Sequence, residues 1–330
     1  MIDGLAGMLE TAQSALFERL TLPVLFDLGL MRFAEDAYAA TGWLLLGLAQ
    51  IAVLWLVLRP LEAWRPVEAW ADRRAIRVDV LYTFLERLGV IPLFFFVTLR
   101  PAVESLDAAL RLFGYIPPQL EDVVPALAGR PLLAFLAYLI VLDLSEYVRH
   151  RLQHRLSWWW ALHSVHHSQR QLSLWADDRN HVVDTLLSDL WRALGALIIG
   201  VPGGQFAAVV FATRVIESLS HANTRLGLGV LERLVVGPRF HRLHHAIGAG
   251  HEGPARGTNF AALLPVWDVI FGTADFRRIA LPTGIRDQLD GVVYGDGFWS
   301  QQVKGLERAG RVLAAEARRL ATRAPGGSTP

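Results

Sequence analysis

All 11 histidines of the chain fall between His150 and His251, less than a third of its 330 residues. They come as His150-x-x-x-His154, His163-x-x-His166-His167, the single His181 and His221, then His241-x-x-His244-His245 and His251. Residues three and four apart share one face of a helix, so each cluster presents its imidazoles within an arc of roughly 100°. Imidazole nitrogen is a frequent ligand for zinc, copper, iron and nickel. Neutral imidazoles gain little by gathering unless a cation sits between them. A lone histidine is ordinarily a satisfied core or surface residue, and one His-x-x-x-His is a weak signal. Two His-x-x-His-His clusters together with that pair are far more specific. A structural zinc site closes on about four ligands, a haem takes one or two axial histidines, and the His-Glu-x-x-His string of zinc proteases is absent. Here the clustered imidazoles suffice for two ions with open positions left over.

The rest of the composition narrows the chemistry. Cysteine is absent, so disulfides and thiolate ligands are excluded and any metal is held by nitrogen and oxygen. The net charge of +1 points to no nucleic-acid partner. A hydrophobic fraction of 53% and a mean hydropathy of +0.33 are too apolar for an ordinary soluble domain of this size. Asp3 precedes any basic residue and Glu10 interrupts the apolar pattern, so no cleavable signal is expected at the N-terminus.

The elements that must position the histidines follow from patterning. Residues 1–36 read as one or two amphipathic helices. Residues 37–149 hold the transmembrane spans. Ala37–Leu58 is uncharged and is the clearest of them. Arg59, Arg65, Arg73, Arg74 and Arg77 follow and mark that side as cytoplasmic. A second span is expected over 78–99, with Asp79, Glu86 and Arg87 facing a bundle interior. Pro131 opens a third, which leaves the lipid with Asp143, Tyr147, His150 and His154 on one face. Residues 150–275 form the histidine-rich region. Within it, Gly200-Val-Pro-Gly-Gly204 is turn chemistry. That turn favours a membrane hairpin over 184–219, about 184–200 and 205–219, rather than one span, and the hairpin returns His221 to the side of the other histidines. Residues 276–330 are expected as a cap, an amphipathic helix near 298–323 and a disordered tail from 324. The fold expected is all-α: an integral-membrane bundle of about 4–5 membrane-embedded helices under a cytoplasmic histidine-rich cap.

The strings "DLSEYVRHRLQH" (143–154), "WWALHSVHHS" (159–168), "RNH" (179–181), "HAN" (221–223), "HRLHH" (241–245) and "TNFAALLPVWDVIFGT" (258–273) resemble the fatty acid hydroxylase and sterol desaturase superfamily of integral-membrane diiron enzymes. The resemblance covers about residues 130–275. Val182 stands where the family often has proline, and Phe260-Ala261 where it often has Tyr-Gly. The resemblance implies that His150, His154, His163, His166, His167, His181, His221, His241, His244 and His245 ligate two iron ions; zinc can occupy the same nitrogens in a purified sample, because affinity order alone does not favour ferrous iron. Asp143, Glu146, Asp178 and Asn223 are candidates for orienting those imidazoles. Asn259 and Asp268 are expected to hold the cap's fold, and His251 is left without a role.

The chemistry implied is O2-dependent hydroxylation or desaturation of an unactivated C–H bond. The substrate would be a lipid entering from the bilayer. Electrons would come from a separate donor of ferredoxin or cytochrome b5 type, because no such segment is visible in the chain. The setting expected is a bacterial cytoplasmic membrane with the metal site on its cytoplasmic side. Two other readings use the same ligands. One is a di-zinc hydrolytic enzyme, whose two-metal site would ordinarily include bridging carboxylates. The other is a histidine-rich metal transporter or sensor, whose ligands would lie at mid-membrane depth.

Overall fold

A computed structural model describes residues 2–251 and 256–323, and among them every regular element is helical. Helix α1 covers 2–27 and includes a π-helical turn at Phe17–Thr21. Helix α2 is Met31–Trp64, and α3 (Arg73–Arg87) starts where the Asp72 carboxylate accepts from the Arg74 amide. Gly89, at φ +85°, breaks α3 from α4 (Val90–Thr98), and the two are bent by 47°. Then come α5 (Arg100–Leu112), α6 (Pro131–Arg155) with proline in its first turn, and α7 (Ser157–His167). Helices α8 (Val182–Ile198) and α9 (Gly203–His221) are separated by the break at 199–202. Two short helices, α10 (Pro238–His244) and α11 (Val266–Ile270), precede the long C-terminal α12 (Phe298–Arg323). The tail expected to be disordered, 324–330, lies outside the described residues.

Helices α2 and α6 are long and apolar enough to cross a membrane, and the bent pair α3–α4 makes a third candidate if it counts as one span. Their outward faces carry Trp55, Leu56, Leu93, Phe94, Leu132 and Leu133, all exposed. A row of bare apolar side chains of this size belongs in lipid. The expected 4–5 membrane-embedded helices included α8 and α9. Those two are short and carry Asp184, Asp189, Arg192, Arg214 and Glu217, so neither meets the same criterion.

The polar interior of the bundle is built from ion pairs. Arg87 of α3 reaches Asp178 at 2.7 Å and Asp177 at 3.0 Å. Arg179 reaches Asp79 at 2.8 Å. Buried charges persist only when paired in this way. Gly47 lets α2 approach α3, since a Cβ there would stand 1.8 Å from the Arg87 carbonyl oxygen. The C-terminal helix lies along α7, with Ala309 packed on Ala161 and Leu162. Under the cap, Tyr147, Val236, Phe240, Phe260 and Ala261 form a second buried cluster.

Candidate metal centre

The histidine clusters sit on the last turns of three helices, α6, α7 and α9, and on α10. Helical spacing puts His150 beside His154 on α6, while α7 ends in His166 and His167, which point to different sides. The four helix ends converge so that eight imidazoles separate into two quartets. His150, His154, His167 and His244 offer one nitrogen each within 4.8 Å of one another, and so do His166, His221, His241 and His245. All eight are buried. The adjacent pairs divide between the quartets: His166 and His167 go to different groups, as do His244 and His245.

Hydrogen bonds fix which nitrogen faces inward. The His150 Nδ1–H donates to the Phe260 carbonyl at 2.7 Å, that of His244 to the Thr258 carbonyl at 2.7 Å, and that of His221 to the Glu217 carbonyl at 2.7 Å. A carbonyl only accepts, so the proton is on Nδ1 and each Nε2 turns a lone pair inward. In the second quartet the His221 Nε2 stands 3.2 Å from that of His166 and 3.0 Å from that of His241. The His241 and His245 Nε2 atoms are 3.1 Å apart. In the first quartet the Nε2 atoms of His150, His154, His167 and His244 are buried without a protein partner. Burial lowers the pKa of His166, His167, His241 and His245 well below the ordinary value, and that of His244 to about 3. Neutral imidazoles with converging lone pairs and no protein donor between them fit a bound cation in each quartet. The donors are all nitrogen, which suits iron, zinc or copper.

Two of the ten expected ligands fall outside the quartets. His163 lies between them, its ring centroid 5.2 Å from that of His150 and 5.2 Å from that of His166, with Nε2 buried and unpartnered. The structure does not bring His181 to either group, a correction to the expected ligand role. Its Nδ1 accepts from the Val183 amide at 3.1 Å, capping α8, and its Nε2–H donates to the Gln302 carbonyl of α12 at 2.9 Å. The neighbouring Val182 amide donates to the Gln302 side chain at 2.8 Å, a bond that proline at this position would lack. His251 stacks on Trp160, at 5.0 Å between centroids, and that indole also lies against His154 and His167.

The groups that orient the imidazoles differ from those expected, and each of the four candidates is placed elsewhere. Asp143 accepts from the Leu263 and Leu264 amides and from the Trp267 indole. Glu146 pairs with Arg149 and Arg192. Asp178 pairs with Arg87 and Arg214. Asn223 accepts from the Val67 and Glu68 amides. Asp184 takes the role instead. One carboxylate oxygen accepts from His163 Nδ1 at 2.9 Å, and the other from Gln153 and the Trp159 indole, each at 2.7 Å. In the sequence Asp184 reads only as an acid in the first turn of a helix. Asp184→Asn is expected to weaken metal binding about 10- to 100-fold, read by competition with a chelator.

Asn259 and Asp268 hold the cap, and through it the site. Asn259 has φ +58°, and its side chain binds the Phe240 and Asp275 carbonyls, each at 2.9 Å. Asp268 accepts from the Phe260 and Ala261 amides and from the Thr273 hydroxyl. Together they fix the 258–261 segment, whose Thr258 and Phe260 carbonyls hold His244 and His150. The Phe260 ring, fully buried, covers the first quartet edge-on to His150 and His154. A cavity of about 90 Å³ lies against His150, His163, His166, His221 and His241.

Comparison with known proteins agrees with this geometry. The fatty acid hydroxylase family model matches residues 135–273, the segment that carries both quartets and the cap. The ornithine lipid hydroxylase OlsE of Rhizobium tropici is 29% identical over 175 residues, 52% of this chain and 50% of that protein. The alkylglycerol monooxygenases of Danio rerio and Homo sapiens are 32% and 30% identical, over 42% and 43% of this chain and 30% and 31% of their own lengths. The chain thus spans half of the first of these relatives and about a third of the other two. No solved structure matches it. Over residues 135–273 the chain resembles the fatty acid hydroxylase domain, and over about half its length or less it is similar to a lipid hydroxylase and to alkylglycerol monooxygenases.

Proposed function

We propose that the protein is a membrane-bound oxygenase that inserts oxygen into an unactivated C–H bond of a lipid. The observation that carries this reading is the pair of all-histidine quartets, side by side and buried, within the segment that resembles this domain. A pair of ferrous ions held by the quartets would supply dioxygen activation and C–H oxidation, with zinc able to occupy the same nitrogens. Either quartet as a hydrolytic site would be expected to include a carboxylate, and both are imidazole alone. The reaction consumes the C–H bond, one O2, two electrons and two protons, and yields an alcohol and water. Loss of a second hydrogen instead gives an alkene. The electrons come from a separate carrier of ferredoxin or cytochrome b5 type.

The chain's own residues hold the imidazoles and exclude water. The Thr258, Phe260 and Glu217 carbonyls keep a proton on three Nδ1 atoms, so Nε2 is the binding nitrogen, and Asp184 does the same for His163. Phe260 and the cap close the first quartet against bulk solvent. The names of the relatives point to a lipid bearing a polar group: an ornithine lipid for one and an alkylglycerol for the others.

The site lies on the cytoplasmic side under this proposal. The end of α2 and the arginine-rich segment after it bind the site's own segments: Glu62 accepts from the Asn223 amide, the Val67 and Glu68 amides donate to the Asn223 side chain, and Arg242 pairs with Glu68 at 2.6 Å. That segment and the histidines are therefore on one face of the bundle, and basic loops stay inside. The setting proposed is a bacterial cytoplasmic membrane. The test is lipid mass spectrometry of cells expressing the chain or His244→Ala, supplied with iron, shifted from anaerobic to aerobic growth. A product one oxygen heavier is expected only with the wild type in air. An identical lipid profile in all four samples sinks the reading.

A further inference from the structure

The two faces of α12 are used differently. The inner face is occupied within the chain. Its Gln302 carbonyl accepts from His181, and Gly305 lets that ring approach, since a Cβ there would stand 2.3 Å from His181 Cδ2. Ala309 packs on Ala161 and Leu162. The outer face carries Val303, Leu306, Gly310, Leu313, Ala317 and Leu320, every one exposed. Their spacings alternate three and four, so leucine recurs at each seventh residue, 306, 313 and 320. Trp299, also exposed, stands seven residues before Leu306.

A strict heptad seam is the pattern of two helices wound on each other, the side chains of one seated between those of the other. A helix face made for lipid is broader and holds bulky apolar groups. Here Lys304, Glu307, Arg311 and Arg318 flank the seam, and its middle is Gly310 and Ala317. Glycine weakens an exposed helix. Among the described residues nothing lies within 4 Å of a Cβ built at Gly310, so no neighbour in the chain requires a glycine there. A side chain from outside the chain would.

The seam complements itself when a second copy runs antiparallel about a two-fold axis between residues 311 and 312. Leu313 of the second copy then seats on Gly310, its Leu306 on Ala317 and its Leu320 on Val303, so each small position receives a leucine. Glu307 lies two residues, about 3 Å along the axis, from the level of Arg318 of the second copy, a pairing that the symmetry repeats. Parallel pairing would put glycine against glycine and alanine against alanine and leave voids between them. We propose that α12 is a dimerisation helix, its outer seam covered by the antiparallel α12 of a second copy of this chain. From Val303 to Leu320 the seam is about 26 Å long, an interface of the small, reversible class. Confinement of both copies to one bilayer raises their effective concentration. The pairing braces the helix against which α7 and His181 pack.

The chain has no cysteine, so a single introduced one is its sole thiol. The test uses the full chain, metal-loaded, in phosphatidylglycerol and phosphatidylethanolamine liposomes at low protein density, with a short bismaleimide as cross-linker. In the antiparallel pair the two copies of residue 313 are about 4.5 Å apart along the axis and those of residue 320 about 25 Å. Leu313→Cys is therefore expected to give at least about tenfold more cross-linked dimer than Leu320→Cys. Gly310→Leu, added to Leu313→Cys, fills the place of the partner's leucine and is expected to cut that yield about tenfold. Helical content by circular dichroism and metal content should stay unchanged, because the position is open in the single chain. Equal cross-linking at 313 and 320 means parallel pairing or random collision and overturns the proposal. No cross-link at either position means that lipid covers the seam, and overturns it too. So does an undiminished yield with Gly310→Leu.

Discussion

His244→Ala is expected to purify with one metal ion per chain or fewer where the wild type carries two, and to lose lipid oxidation by at least about 100-fold. His244 is one of four donors in the first quartet, and removing it leaves three buried imidazoles around an opened position. Its Nδ1 also ties α10 to the Thr258 carbonyl. Metal analysis by mass spectrometry reads the loss directly. His166→Ala is expected to do the same from the second quartet. The informative control is His181→Ala. Its nitrogens serve a helix cap and a bond to α12, so it is expected to keep both metals and lose about 1 kcal/mol of stability. If His181→Ala loses metal as His244→Ala does, the division into two quartets is wrong.

Asp268→Ala is expected to give the largest effect of any change outside the histidines. The Asp268 side chain is fully buried and accepts from two backbone amides and one hydroxyl. Alanine leaves those donors buried without acceptors, at a cost of about 3 kcal/mol or more. The 258–261 segment then loses its anchor, and the carbonyls that hold His150 and His244 move with it. Metal affinity is expected to drop about 10- to 100-fold although no ligand has been touched. A thermal-shift series with and without added metal checks both effects. An unchanged midpoint together with unchanged metal affinity would refute the anchoring role. Asp268→Asn retains an acceptor and is expected to recover part of both.

Local physics made much of the site legible in the sequence. Spacings of three and four state which histidines share a helix face, and His150 with His154, or His163 with His166 and His167, need nothing more than an α-helix to stand together. The absence of cysteine restricts the donors to nitrogen and oxygen. The uncharged run after Ala37 and the proline at 131 mark the two longest apolar helices. The turn at 199–202 is written in Pro and Gly, and it is what brings His221 back to the other ligands.

Which imidazole joins which quartet was decided only by tertiary structure. Adjacent residues such as His166 and His167 point to different sides of α7, and their partners come from helices up to about a hundred residues away, so spacing carries no record of the pairing. The same holds for what orients them. Asp184, one helix away from His163, and three backbone carbonyls carry no pattern, because a carbonyl is present at every residue and only the path of the chain aims it. Asp143 and Glu146 share a helix with His150 and His154, and Asp178 and Asn223 lie in the loops beside His181 and His221, yet each is engaged by other groups: amides and an indole for Asp143, arginines for Glu146 and Asp178, and amides for Asn223. His181 shows the converse: a histidine in a family string whose nitrogens a helix end and a distant helix claim first.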